Sequence, residues 1–494
     1  MEIPNHSHDQ QHFLLCPFMA QGHMIPMADM ARLFARRGVY VSFVTTPLNA
    51  SRVRPAIDRA SRCSNLPIRL VELRFPYEEA GLPEGSENVD VLPPSIDLFK
   101  RFFEGTKLLK QPLELFLSAD RDFPPPTCVV SDLLLPWTLD VARGLGIPRL
   151  VFHGTCSYSL IVMESVRRYG LWDAADRPEK ETMVTIPDMP CQFEMKKGLL
   201  PIPLSCAGLA DFEGGAVKAE VDSDGVVINS FDELEAKFTE AYEKLMGNKA
   251  YNIGPLSLCE GGVQAERGNK SSIDPDKCLS WLDSHKPGSV VYVSFGTLAR
   301  LGLRQVMEIG EAMKGSGRPV VWVLKQGKEG SEEIESWVSR FGEGLDWMVI
   351  VGWAPQVAIL SHKAVGGFVT HCGWNSTLEG LCAGVPMVTW PHFWEQFVNE
   401  RLVVEVLKVG VRVGIEVQMG WTEEVVVGRE EIGVALERVM GEGEEGEEMR
   451  RRVRKVGEMA KKAMEVGGSS FVNMTMLIED VKGYVVKEIV VENA

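Results

Sequence analysis

Residues 12–46, HFLLCPFMAQGHMIPMADMARLFARRGVYVSFVTT, decide the fold. HFLLCPFMA is a short, continuous apolar run, QGHMIP reads as a turn, MADMARLFARR spaces its apolar residues for a helix, and VYVSFVTT is apolar again. Apolar runs this short are strands, and a helix between two of them makes a β-α-β unit. Pro26 suits a first helical turn and Gly38 a helix exit. Strands so uniformly apolar, alternating with helices, belong to a parallel sheet covered on both faces.

The pattern returns in TCVVSDLLLPWTLDVARGLGIPRLVFHG, where a strand ending at Ser131-Asp132 leads through a helix to RLVF, and again where SVVYVSFGT precedes a helix over 305–313 and the strand RPVVWVL. Two stretches of such units flank a Gly-, Asn- and Ser-rich segment at 247–275, so two doubly wound α/β domains are expected with their junction there. YNIGPL in that segment also fits the first strand of the second domain. Pro- and Gly-rich stretches at 75–125 and 170–220 break any periodicity and read as long functional loops.

The chain has 494 residues, 45% hydrophobic and 24% charged, which places it among globular proteins of two to three domains and excludes a disordered or disulfide-scaffold class. Its net charge of −16 disfavours nucleic acid or an anionic membrane as the main partner, since both need a basic footprint. The start, MEIPNHSHDQQH, has no basic and apolar leader pattern, and no 18 apolar residues run uninterrupted, so a cytoplasmic protein without integral membrane association is expected. Ten cysteines without a C-x-x-C pair read as reduced and mostly buried, and no structural metal is implied. Nothing suggests an obligate coiled coil, and a monomer is expected. The acidic-then-basic run at 441–468 reads as a solvated helix, and its formal G-x-G-x-x-G match would repel phosphate. Three D-x-D matches, Asp120-Arg121-Asp122, Asp222-Ser223-Asp224 and Asp274-Pro275-Asp276, read as turns or loops, since none follows an apolar strand.

Two clusters carry chemistry. His23 follows the first strand and Asp132 ends another, so both fall at the carboxyl edge of a sheet, where open α/β sheets bind ligands. A histidine held by a buried carboxylate has a fixed tautomer and can take a proton from a hydroxyl. The alternative is a loop histidine and a helix N-cap. The second cluster is WAPQVAILSHKAVGGFVTHCGWNSTLEGLCAGVPMVTWPHFWEQ at 353–396. Its centre is a strand, a polar turn and a helix starting near Asn375-Ser376, an arrangement that offers amide donors and a positive dipole end to phosphate. Glu379, one turn on, can meet ribose hydroxyls. A capping arrangement would account for Ser376 and Glu379, but not for Trp353, Gln356, His371, Trp374, Glu395 and Gln396.

The 353–396 box closely resembles the signature of the plant family 1 UDP-glycosyltransferases, the secondary-product glycosyltransferases, and PFMAQGHMIPMADMARLF, SDLLLPW, YVSFGT and GGSSFVNMT extend the resemblance along the whole chain. FPYEEAGLPEGSENVD resembles a subgroup acting on flavonoids, triterpenoids and steroids. The resemblance implies a GT-B architecture, two Rossmann-like domains facing across a cleft. Residues 1–249 would bind the acceptor, 250–465 the UDP-sugar, and a helix in 466–494 would pack back on the first domain. It also implies that His23 is the base and Asp132 its orienting partner. Trp353 would stack on uracil and Gln356 hydrogen-bond it, with Glu379 on the ribose. His371, Asn375 and Ser376 would contact the diphosphate with Ser294 and Thr297 nearby, while Trp374, Glu395 and Gln396 face the sugar.

Gln396 favours glucose in this family, so UDP-glucose is the expected donor and an inverted β-glucoside the product. With amide donors, His371 and a helix dipole supplying the positive field, no metal or cofactor is required. Phe18, Met19, Met24, Phe152 and Phe193 are candidates for an apolar acceptor pocket, with core packing the alternative. Trp394 departs from the small residue usual beside the acidic position and either narrows a pocket or packs the loop. Competing readings are a nucleotide-sugar-binding protein without catalysis and a transferase using another UDP-sugar. A nicotinamide oxidoreductase would need a glycine fingerprint that FMAQGHMIP lacks.

Overall fold

Strands β1 (His12–Cys16), β2 (Tyr40–Thr45), β3 (Ile68–Glu72), β4 (Cys128–Asp132) and β5 (Arg149–His153) are the apolar runs, and all residues of β1, β4 and β5 are buried. The computed structural model describes residues 10–93, 95–172, 181–259, 267–299, 301–325, 331–418 and 426–492. Contacts divide the chain into two units, Met1–Cys156 with Leu204–Glu260 and Ala463–Ala494, and Ser157–Pro203 with Gly261–Lys462. A short antiparallel pair, β6 (Met183–Thr185) and β7 (Glu194–Lys196), lies in the second unit. β8 (Gly225–Ile228) and β9 (Ala250–Asn252) complete the first sheet, whose order is β3-β2-β1-β4-β5-β8-β9 with every pair parallel.

The second sheet comprises β10 (Val290–Ser294), β11 (Val320–Leu324), β12 (Trp347–Val351), β13 (Val365–Thr370), β14 (Met387–Thr389) and β15 (Gly410–Arg412). Its order is β12-β11-β10-β13-β14-β15, again all parallel. The direction of winding reverses between β1 and β4 in one sheet and between β10 and β13 in the other. Each reversal opens a crevice beyond the strand ends.

The first unit's core forms where the helix Gln21–Arg36 lays Met24, Met27, Met30 and Phe34 on Phe13 and Leu15 of β1. Phe13 and Phe34 meet edge to face at 5.0 Å. Each such side chain contributes about 1.5–3 kcal/mol on full burial. The C-terminal helix Ser469–Glu492 adds Met474, Leu477, Ile478 and Val481 to the same core, and its Asp480 accepts from Tyr251 at 2.6 Å beside β9.

Several sequence expectations are corrected. The first helix begins at Gln21, not after Pro26, so QGHMIP is helical and Pro26 lies inside the helix. Proline lacks the N–H that would reach back to Gly22, and a helix tolerates that loss this near its start. YNIGPL supplies β9, which pairs with β8 in the first sheet and does not open the second domain. The change of unit therefore follows Glu260 and not residue 249, and residues 157–203 group with the second unit. The stretch 75–125 contains helices Ile96–Lys107 and Lys110–Ala119: Ser95 accepts from the Leu98 N–H at the start of the first, and Pro112 falls in the first turn of the second, where no intrahelical N–H is needed. Ala210–Val221 is a helix within 170–220.

β13 approaches the backbone so closely that a Cβ on Gly366 would stand 2.0 Å from the Gly288 carbonyl oxygen. Gly366→Ala should destabilise the second unit by roughly 1–3 kcal/mol in chemical denaturation. Gly433→Ala, in a helix with no atom within 4 Å of the new Cβ, should leave stability equal or slightly higher.

Candidate active site

His23 sits in the first turn of the helix that follows β1, and Asp132 is the last residue of β4. Because β1 and β4 are neighbours, with Cys16 opposite Ser131, the two side chains meet. His23 Nδ1 lies 2.6 Å from Asp132 Oδ2, with the histidine side chain 34% exposed and the carboxylate 2%. The other carboxylate oxygen accepts the Leu134 N–H at 3.0 Å. Asp132 therefore has a fixed plane, and the tautomer with Nδ1–H toward it leaves Nε2 as the basic nitrogen. This is the dyad the sequence suggested, and Asp132 is not a mere helix cap.

Behind the dyad lies a cation that sequence reading missed. Arg149, the first residue of β5 and fully buried, donates to Ser131 Oγ at 2.9 Å, Thr138 Oγ1 at 3.0 Å, Ser223 Oγ at 2.9 Å and the Asp132 carbonyl at 3.3 Å. Burial lowers its pKa to about 10, which leaves it charged at neutral pH. These bonds anchor the end of β4, and an arginine within GIPRLVF gives no local signal of them.

Phe18 touches the His23 ring edge-on at 5.5 Å and stacks on Phe103 at 5.6 Å. Met19 lines a small apolar recess with Cys16, Val44, Leu135 and Trp137. Of the other pocket candidates, Met24 and Phe152 are fully buried in the core. Phe193 lies in the second unit, against Tyr158 and the Arg401 guanidinium.

The second unit gathers the box residues. The helix Trp374–Ala383 starts behind Gly373, which caps it without a side-chain bond. Ser376 and Glu379 therefore do not form a capping arrangement. Both accept from Gln356 Nε2, at 3.0 Å and 2.8 Å, while Gln356 Oε1 accepts the Tyr292 hydroxyl at 3.1 Å. Glu379 Oε1 is 2.7 Å from Arg267 Nη1, both side chains being about one-tenth exposed. The indole N–H of Trp353 donates to the Arg267 carbonyl at 3.0 Å.

His371 follows β13 and precedes a tight turn in which Cys372 adopts φ 63°. Its ring is wedged between two glycines, since a Cβ on Gly296 or Gly373 would come within 2.5 Å of the imidazole. Gly296, at φ 69°, stands between Ser294 at the end of β10 and Thr297, whose carbonyl accepts from Lys325. His371 Nδ1 is buried with no hydrogen-bond partner among the described residues. Trp374 and Asn375 open the helix, with Trp374 buried.

Gln396 is buried and accepts the His392 and Phe393 N–H groups at 2.9 and 3.3 Å, which shapes the loop ahead of Glu395. Trp394 in that loop has φ 54° and is 42% exposed, a left-handed backbone that a bulky side chain rarely adopts. Its ring is not sealed into a core. The acidic D-x-D matches serve structure: Asp120 pairs with Arg69, Asp224 with Arg143, and Asp274 caps the helix Pro275–Asp283.

Residues 260–439 match the family described as UDP-glucoronosyl and UDP-glucosyl transferase. The chain is 45% identical to UDP-glycosyltransferase 73C1 of Arabidopsis thaliana over 95% of its own length and 96% of that protein. It is 43% identical to UDP-glycosyltransferase 73C25 of Barbarea vulgaris over 97% of its length and 98% of that protein. Among solved structures, UGT73P12 of Glycyrrhiza uralensis, complexed with glycyrrhetinic acid 3-O-monoglucuronide, matches with a TM-score of 0.88 at 35% identity, over 98% of each chain. UGT71G1 of Medicago truncatula, complexed with UDP-glucose, matches with a TM-score of 0.76 at 26% identity, over 96% of this chain and 99% of that one. The chain belongs to the plant family 1 UDP-glycosyltransferases, with the GT-B type of fold. It is a glycosyltransferase.

Burial makes the imidazoles of the second unit's box poor bases. His371 is lowered to about 4, and His392, by burial and by His371 beside it, to about 3. His12, in the first unit, is likewise lowered by burial to about 4. The unfolded chain protonates these groups first, so their stabilising share is complete above about pH 6.5 and lost as pH falls toward 4. Glu400 opposes them, since burial raises it to about 7 and its share is lost as pH rises from 4.5 through 7. Three against one gives about two protons taken up on unfolding near pH 5. Melting temperature should fall between pH 6.5 and pH 5, and His392→Phe should make that fall smaller.

Proposed function

We propose that the chain is an inverting O-glucosyltransferase that moves glucose from UDP-glucose to a hydroxyl of a small lipophilic plant metabolite and gives a β-glucoside. Flavonoids and other phenolics, triterpenoids and steroids are the acceptor classes. The observation that carries this reading is the 2.6 Å contact between a part-exposed His23 and a buried, doubly bonded Asp132. A protein that only binds nucleotide sugars has no need of such a base.

In this mechanism His23 Nε2 removes the proton of the acceptor hydroxyl as the oxygen attacks C1 of the sugar from the side opposite UDP. Asp132 stabilises the imidazolium that forms. One in-line displacement inverts the anomeric carbon. Negative charge grows on the departing diphosphate, where the amides at the start of the helix Trp374–Ala383, Asn375, Ser376 and His371 receive it, with Ser294 and Thr297 beside them. His371 is neutral at working pH and acts as a dipolar donor, not as a cation. Preorganised donors meet this demand without a divalent ion.

Trp353 stacks on the uracil. Gln356 hydrogen-bonds the uracil, and its amide adjoins Glu379, which receives the ribose. Trp374, Glu395 and Gln396 read the sugar. Because the Gln396 carbonyl holds the 392–393 backbone, its amide NH2 is the group that meets a sugar hydroxyl. Phe18, in contact with the base, borders the acceptor.

UDP release from UDP-glucose, measured without added metal across flavonols, triterpenoid aglycones and sterols, tests the reading. His23→Ala should lower acceptor-dependent release by about 10²–10⁴ while UDP affinity persists. Full turnover in the variant removes the base assignment, and preference for UDP-glucuronate or another donor in the wild type replaces glucose. Gln396→His should weaken use of UDP-glucose relative to other UDP-sugars; an unchanged donor profile means the sugar is read elsewhere.

A further inference from the structure

The segment that follows residue 266, read from sequence as a linker, is bonded to both residues expected to hold the nucleoside. Arg267 pairs with Glu379 at 2.7 Å and receives the Trp353 indole N–H on its carbonyl at 3.0 Å. Five residues on, the Ser272 N–H donates to the Trp353 carbonyl at 2.8 Å, and Ser272 Oγ accepts the Trp353 N–H at 2.9 Å. All of these groups lie in the second unit.

A carboxylate with about 8% of its side chain exposed needs partners on both oxygens. Arg267 supplies the charge on Oε1, and the Gln356 amide bonds Oε2. The two donors fix the carboxylate plane, yet each oxygen keeps a further lone pair for a ribose hydroxyl. The same segment sets the angle of the Trp353 ring through its indole N–H. A linker arginine thus orients the ribose acceptor and, through one backbone carbonyl, the base-stacking ring.

The geometry points to Arg267 as a positioning residue of the donor site: it holds Glu379 oriented toward the ribose hydroxyls of the UDP-sugar. This rests on the donor-site reading above, and it adds a residue from outside the 353–396 box. It predicts a specific coupling, because the Arg267 side chain bears on the nucleotide through the hydroxyls that Glu379 receives.

The test is titration calorimetry of the full chain with UDP and with 2′,3′-dideoxy-UDP, beside steady-state kinetics. Arg267→Ala should weaken UDP about tenfold and dideoxy-UDP hardly at all, with Arg267→Lys recovering part of the loss. KM for the donor should rise while kcat at saturation stays near wild type. In a Glu379→Ala background, Arg267→Ala should have no further effect on UDP. Because both ligands are compared on one preparation, partial unfolding of a variant does not alter the ratio. Unchanged or tighter UDP binding by Arg267→Ala overturns the proposal and makes the ion pair a contact that ribose displaces. Equal loss for both ligands also overturns it. Failure of the donor-site reading looks different: Trp353→Ala and Glu379→Ala would then both bind UDP as the wild type does.

Discussion

The pairing of β1 between β2 and β4 is the constraint on which the catalytic half depends. Parallel pairing with β2 on one side of β1 and with β4 on the other leaves the carboxyl ends of β1 and β4 adjacent. Residues 109 apart in sequence, His23 and Asp132, become hydrogen-bond partners for that reason. The same reversal between β10 and β13 brings Gly296 against His371. One topological rule, used twice, builds the His23–Asp132 pair in one unit and the glycine-enclosed turn at His371 in the other.

The two halves use opposite electrostatics for their histidines. His23 is part-exposed and carries a carboxylate, so its protonated form has a partner waiting. His371 is enclosed by glycines, and burial holds it neutral down to about pH 4. A charged imidazole there would bind diphosphate more strongly before and after transfer alike, which slows product release without aiding the transition state. A neutral donor favours the charge that develops on the leaving group without over-binding the free anion.

Much of this was legible in the sequence where one residue type has one job. Unbroken apolar runs marked β1, β2, β4 and β5 of the first sheet and β10, β11 and β13 of the second, since a parallel strand covered on both faces has no polar register to keep. The dyad was legible because strand ends mark the ligand edge, and the box because Trp353, His371, Glu379 and Gln396 recur in a recognisable order. What stayed hidden depends on long-range packing. Pro26 reads as a helix start, but the helix tolerates it five residues after Gln21. YNIGPL is as apolar as any strand, and only its partner β8 assigns it to the first sheet. Arg149 and Arg267 look like surface or linker cations, and their burial follows from neighbours 112 residues or fewer away along the chain that no local pattern announces.

In the proposed donor site, the side chains around Gln356 and Glu379 bond one another. Gln356 bonds Ser376, Glu379 and Tyr292, and Glu379 also bonds Arg267, so the polar side chains answer one another inside a largely buried network. In such a network each group's rotamer is fixed by a protein partner. Binding then loses little conformational entropy. It also gives the site its selectivity. A ribose whose hydroxyls add to the spare lone pairs completes the network, whereas an analogue that enters without them shields the same groups from water and returns nothing. Discrimination by missing hydroxyls is far steeper than discrimination by a missing methylene, for which an apolar pocket supplies only about 1–3 kcal/mol. On the proposed reading the nucleoside end of the donor is therefore read strictly, and the apolar surroundings of Phe18 near His23 leave the acceptor end permissive in shape.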